Sequence, residues 1–105
     1  DRKWRRIAAW VFPADVLERF APSSNSGGGF GPDGRLYCTG HDRQEMYVFN
    51  LPKSGSTLHW VETIIVPLPG QAFAWDKSQP GMLYGIRRAA KEVLAVKMPM
   101  AEAPQ

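Results

Sequence analysis

His41-Asp42 is the pair in this chain best suited to acid–base work, an imidazole that titrates near neutrality beside a carboxylate. Adjacent residues at a strand end point in opposite directions, so the two cannot jointly grip one ion. The sequence reads them first as the polar cap of a loop and second as ligand contacts. The run Ser23-Ser24-Asn25-Ser26-Gly27-Gly28-Gly29 could offer backbone N–H groups to an anion, although a strand that must approach its neighbours closely needs the same residues. Asn25 and Gln71 fall where strands begin, and a side-chain amide there could hydrogen-bond a sugar or a carboxylate. Arg87 and Arg88 could take an anionic group on their guanidinium forks, or stand as a solvated hairpin tip. The candidate ligand-binding set is therefore Asn25, Ser26, His41, Asp42, Gln71, Arg87 and Arg88, with no catalytic residue assigned.

Other chemistries find less support. With two histidines, one cysteine and scattered carboxylates, the chain lacks three or four ligands at metal-site spacing, so no metal and no cofactor are expected. There is no Gly-x-Ser-x-Gly motif, and Cys38 has no histidine placed to activate it. Cys38 lies inside an apolar run, where a buried, inert thiol is expected, and a lone cysteine excludes an internal disulfide. The net charge of +3 is small, and four of the thirteen cations are Arg2, Lys3, Arg5 and Arg6. A nucleic-acid partner, which needs cations spread over a face, is not expected. No apolar run approaches the roughly 20 residues of a membrane span. The segment Ile7 to Phe12, ended by Pro13, matches a signal peptide poorly, so no membrane association is expected.

The elements that would carry these residues follow from an internal repeat. Leu36-Tyr37 recurs as Leu83-Tyr84, Glu45 as Glu92 and Leu51-Pro52 as Met98-Pro99, all at a spacing of 47. Phe30 before Gly-Pro-Asp-Gly matches Phe73-Ala74-Trp75-Asp76 at 43, the second turn being longer, and Trp4 with Ile7 to Val11 matches Trp60 with Thr63 to Val66 at 56. The 105 residues thus read as a single domain, 1–105, made of repeat unit 4–52 and repeat unit 58–99. Each unit reads as four short strands. Pro-Asp-Gly at 32–34 and Pro-Gly at 80–81 supply hairpin turns, because proline presets one turn dihedral and glycine accepts positive φ at the next. Strands rich in aromatic and β-branched residues flank them, at Arg35 to Gly40 and Met46 to Leu51. In Leu58 to Val66, Trp60, Glu62 and Ile64 are expected on one face, with His59, Val61, Thr63 and Ile65 on the other. Helix is confined to one short piece within 14–20. The sequence Arg87 to Glu92 reads as a hairpin loop despite its helix-forming composition.

The phrase Phe30-Gly-Pro-Asp-Gly-Arg-Leu-Tyr-Cys-Thr-Gly, followed by Tyr47-Val-Phe-x-Leu, resembles the blades of NHL, YWTD and gluconolactonase-like propellers, over about residues 4 to 99. A WD-type pattern is absent, and no metal-site motif of the lactonases is matched. The resemblance implies an all-β fold of two four-stranded antiparallel β-propeller blades, closed by oligomerisation or forming part of a longer propeller. Loops 21–29, 40–45, 67–71 and 87–91 would then share the face around the channel, and the seven candidate residues would line its mouth. Two blades leave open edges, so self-association is expected, a trimer giving six blades, a dimer four and a tetramer eight. The matching positions of Trp4 and Trp60 favour packing between blades over sugar stacking. The function implied is a non-enzymatic binding or assembly module with a small polar ligand, a sugar or anionic metabolite, at the mouth. The alternative is a portion of a lactonase-type hydrolase, which would need a divalent cation, and a third possibility is a fragment without an independent role.

Overall fold

A computed structural model of the chain describes residues 5–68 and 72–99. It is mostly β, with two antiparallel sheets and one short helix. The first sheet runs β1 (Asn25–Phe30), β2 (Leu36–Gly40), β3 (Glu45–Asn50) and β4 (His59–Ile65), each beside the next. The second runs β5 (Phe73–Trp75), β6 (Met82–Arg87) and β7 (Glu92–Lys97), again in chain order. Helix α1 (Ala14–Phe20) precedes them where the sequence expects it, entered through Pro13, whose carbonyl accepts the N–H groups of Val16 and Leu17.

The tight turns use their glycines as expected. Gly34 and Gly81 adopt φ of 81° and 85°, which an L side chain would resist. In the first turn the Asp33 carboxylate accepts hydrogen bonds from the Arg35 backbone (3.1 Å) and from Tyr37 Oη (2.7 Å). In the second, Asp76 accepts from the Ser78 backbone (2.8 Å) and from Tyr84 Oη (3.1 Å). Between β6 and β7, Arg88–Ala90 form a single 3-10 turn, closed by Lys91 in the left-handed region, so the hairpin holds and the helix-forming residues contribute one turn to its loop.

Four details depart from the sequence expectation. The sheets hold four and three strands rather than four and four: described residues 5–12 form no strand beyond one bridge of Val11 to Thr57, and Trp4 lies outside the described residues. The strand that opens the second sequence unit, β4, hydrogen-bonds to β3 and so completes the first sheet, because the loop from Leu51 to Leu58 returns the chain as a hairpin. A bulge follows in β4. Phe49 pairs with Trp60 and Val48 with Glu62, so Val61 is an extra residue and the face alternation reverses there. Trp60 therefore points to the helix side with Tyr47, and Ile64 to the opposite side with Met46. Finally, Trp75, not Phe73, stands opposite Leu83 as Phe30 stands opposite Leu36.

The result is three layers. Met46, Tyr47, Val48 and Phe49 are each at most 1% exposed, the continuous apolar run of a strand covered on both faces. One face of the first sheet, through Cys38, Tyr47 and Phe49, packs on Val16 and Phe20 of α1 and on Leu58. The other, through Tyr37, Met46 and Val48, packs on Leu83, Val66, Leu68 and Met98, with Trp75, Leu94 and Val96 of the second sheet around them. Each such side chain contributes about 1.5–3 kcal/mol by leaving water. Among the described residues no helix is long and apolar enough to cross a membrane.

Candidate functional site

The first sheet gathers a polar cluster at the end where β1 begins and β2 turns into β3. His41 Nδ1 lies 3.0 Å from Asp42 Oδ1 and 3.4 Å from Ser23 Oγ, and the Ser23 backbone N–H donates to Asp42 Oδ2 at 3.4 Å. These hydrogen bonds, that of His41 foremost, hold the exposed Asp42 carboxyl below the usual aspartate range. Serine, histidine and aspartate are all present, but serine and aspartate meet the same ring nitrogen. A proton relay needs them on opposite nitrogens, so the geometry ties one loop to another and does not activate Ser23.

Asn25 belongs to the same end but is engaged by the backbone: its Nδ2 donates to Gly27 O (2.8 Å) and Thr39 O (3.3 Å). That bond spans a second bulge, where Ser26 is the extra residue between the pairs Asn25–Gly40 and Gly27–Thr39. Gly27, Gly28 and Gly29 are ladder residues opposite Thr39, Cys38 and Tyr37, so the run is strand backbone and not an anion nest. A methyl group on Gly29 would lie 3.7 Å from Trp75 Cδ1 and 3.8 Å from Phe73 Cε2, which marks the close approach of β1 to β5.

The arginines sit on the second sheet. Arg87 pairs with Glu92 across the last rung of the β6–β7 hairpin, Nη1 to Oε2 at 3.9 Å, and Arg88 is exposed on the 3-10 turn. Gln71 lies outside the described residues. Of the seven candidates the structure thus brings His41 and Asp42 into direct contact, places Asn25 and Ser26 on the adjoining bulge, and puts Arg87 and Arg88 on the other sheet. Among the described residues no group of three or more His, Cys, Asp or Glu could hold a metal ion.

A second polar node escaped the sequence reading. Glu45 accepts from Tyr47 Oη (2.8 Å) and pairs with Arg19 of α1 (3.3 Å), whose guanidinium lies 5.7 Å from the centre of the Trp60 ring. Arg19 and Glu45 are 26 positions apart along the chain, and no local spacing relates them.

Exposed apolar side chains gather at the two ends of the layered stack, besides others such as Phe30 and Ile65 on the first sheet. On the outer face of the second sheet Tyr84, Ile86 and Val93 are 39%, 48% and 75% exposed and, with Ala72 and Ala74, line a shallow apolar groove of about 340 Å³. Arg87, Arg88, Lys91, Glu92 and Lys97 of the same sheet and its hairpin are also exposed. At the opposite end, beside α1, Ile7, Trp10, Val11 and Leu17 are exposed, together with Asp15 and Glu18. Large exposed apolar groups gathered in this way mark interaction surfaces.

Fold and surfaces together define an all-β protein of two stacked antiparallel sheets, capped by a helix at one end and bare at the other. Compared with protein-family models, curated proteins and solved structures, the chain matches none.

Proposed function

We propose that this chain is a non-enzymatic assembly module built from propeller-type blades, and that its partner is a second copy of itself, joined head to tail. One observation carries the reading: the first sheet is covered on both faces, by α1 and by the second sheet, whereas the outer face of the second sheet is apolar and bare. Further features support it. β1 and β5 lie side by side where the sheets meet, at Gly29, Phe73 and Trp75, as the inner strands of neighbouring blades would. Tyr84 lies on the same side of its sheet as Tyr37 does, and Tyr37 meets Trp75 edge-on at 4.9 Å where the second sheet docks. The bare face is thus the counterpart of one that already receives a neighbour.

The two surfaces are unlike in shape: one is a strand face with the Arg88–Ala90 turn at its end, the other carries Leu17 of α1 between Asp15 and Glu18, with Arg5 and Arg6 before Ile7. Unlike surfaces at opposite ends generate a heterologous contact, which closes into a ring when the rotation allows. A trimer is the ring that six blades would form. At the polar end, Ser23, Asn25, His41 and Asp42 spend hydrogen bonds on one another and on backbone, which favours assembly over ligand capture.

The test is mass in solution by light scattering. The wild-type chain should run as a defined multiple of 11.7 kDa. Leu17→Lys and Val93→Glu should each be monomeric, and their equimolar mixture should recover a dimer, because each retains one intact surface. A monomeric wild type at about 100 µM overturns the proposal. So does dimerisation of Leu17→Lys alone, which would mean that like faces pair.

A further inference from the structure

The hairpin loop between β3 and β4 encloses a cavity of about 390 Å³, lined by Asn50, Leu51, Lys53, Ser54 and His59. Its chemistry is one-sided. Residues 50–59 contain no aspartate or glutamate, so Lys53 and His59 are the ionisable side chains of the loop and both are bases. The ammonium of Lys53, the Ser54 hydroxyl and the His59 ring can all donate hydrogen bonds. Unlike the side chains of the polar end, these three have no hydrogen-bond or ion-pair partner among the described residues. Asn50 is set by a neighbour. Arg35 Nε donates to its Oδ1 at 3.2 Å, which fixes the amide and leaves the Nδ2 donor unspent in a residue that lines the cavity.

The walls are held independently of any ligand. Asn50 and His59 oppose one another in the β3–β4 ladder, so their side chains leave the sheet on one side, about 4.5–5.5 Å apart at Cβ. Gly55 takes φ of 78° in the turn between them. From outside the hairpin, the Val11 N–H donates to Ser56 O at 2.8 Å, and Val11 O accepts the Leu58 N–H at 2.9 Å. A loop pinned in this way loses little freedom when it binds.

We propose that this cavity binds the phosphoryl group of a small phosphomonoester. Such a group carries a charge of about −1.5 to −2 at pH 7 and three strong acceptor oxygens. Asn50 Nδ2, Lys53 Nζ, Ser54 Oγ and the His59 ring supply donors from four residues, two on the opposed strands and two on the loop. Donors spread around a loop suit a tetrahedral group better than a planar carboxylate, which a single guanidinium fork serves. Leu51, 38% exposed, gives the organic part of the ester an apolar wall. The site does not depend on the assembly.

The test is an NMR titration of the backbone and side-chain amides of the whole chain with phenyl phosphate, benzoate and inorganic phosphate. Phenyl phosphate should shift the signals of Arg35 and residues 50–59 saturably, with a Kd of about 1 mM or tighter. Benzoate, the same ring on a carboxylate, should bind about tenfold more weakly, and inorganic phosphate should bind at the same residues more weakly than the ester. Asn50→Asp keeps an acceptor for Arg35 and the size of the side chain but sets a carboxylate oxygen where Nδ2 stood, so it should raise the Kd about tenfold or more. Lys53→Met, at an exposed position, should do the same and leave the thermal midpoint within about two degrees. If Asn50→Asp does not fold, Lys53→Met decides. Shifts that do not saturate, shifts centred elsewhere, or a Kd unchanged in either folded variant overturn the proposal. Benzoate binding as tightly as phenyl phosphate overturns the phosphoryl assignment, and inorganic phosphate binding as tightly overturns the ester.

Discussion

At the scale of single residues the side chains with chemical character are occupied in holding loops and elements together. Glu45 is the clearest case. Its carboxylate takes the Tyr47 phenol at 2.8 Å and Arg19 at 3.3 Å, fixing α1 to the first sheet. Burial, then the Glu45 carboxylate, pushes the Tyr47 phenol up to about 12 from its ordinary 10. Above pH 10 the unfolded chain therefore releases that proton before the folded one does, and the stabilisation present below pH 10 is lost as pH rises toward 12. Tyr47→Phe should cost about 1.5 kcal/mol at pH 7, the worth of a hydrogen bond to a charged group. It should also show a shallower loss of stability between pH 10 and 12 than the wild type, measured by urea melts across that range. Trp75 shows the opposite situation: its Nε1 is buried and, among the described residues, has no hydrogen-bond partner, so its place between the sheets is owed to the area of its ring.

At the scale of elements, α1 matters more than its seven residues suggest. It would not persist alone in water. Phe20 is 1% exposed, meets Phe12 and Tyr47 edge-on at 5.0 and 5.2 Å, and lies over Gly40 at the end of β2. A methyl group at Gly40 would fall 2.9 Å from Phe20 Cδ1. Gly40→Ala should therefore destabilise the fold by about 1–3 kcal/mol through overpacking. Combining it with Phe20→Leu should cost less than the sum of the two single changes, because the smaller side chain vacates the space; a denaturant double-mutant cycle measures the coupling. The helix and the strands were legible as elements, since apolar runs, Pro13 and the Pro-Gly turns mark their limits. The bulge at Val61 was not. A bulge arises from how two strands share a ladder, and Leu58 to Val66 alternates without interruption when read alone.

At the scale of the whole molecule, three layers leave two unlike ends, one formed by α1 and the apolar residues before it, the other by the apolar outer face of the second sheet. Association through those ends binds the folded chain and not the unfolded one, so it adds to stability by mass action. The thermal midpoint should rise with protein concentration between about 1 and 100 µM, and Val93→Glu should abolish the dependence while leaving the dilute midpoint within a degree or two. A midpoint independent of concentration in both proteins would contradict the assembly. The candidate site was only partly legible at this scale. His41 and Asp42 are adjacent in sequence and could be named, yet Ser23 joins them from 18 and 19 positions away. Arg87 and Arg88 lie in the second unit's hairpin loop, between β6 and β7, as their loop positions in the sequence indicate.

The sequence by itself determined that the chain is mostly β, where its turns and its short helix fall, and that Cys38 is buried, because turn dihedrals and apolar runs are local properties. Only the tertiary structure decided that β4 completes the first sheet, that the glycine run is a ladder strand pressed against Trp75, and that Glu45 pins the helix. It also decided which face of the second sheet stays bare. Each of these depends on which surfaces compete for the same neighbour in space, a contest that spacing along one chain does not record.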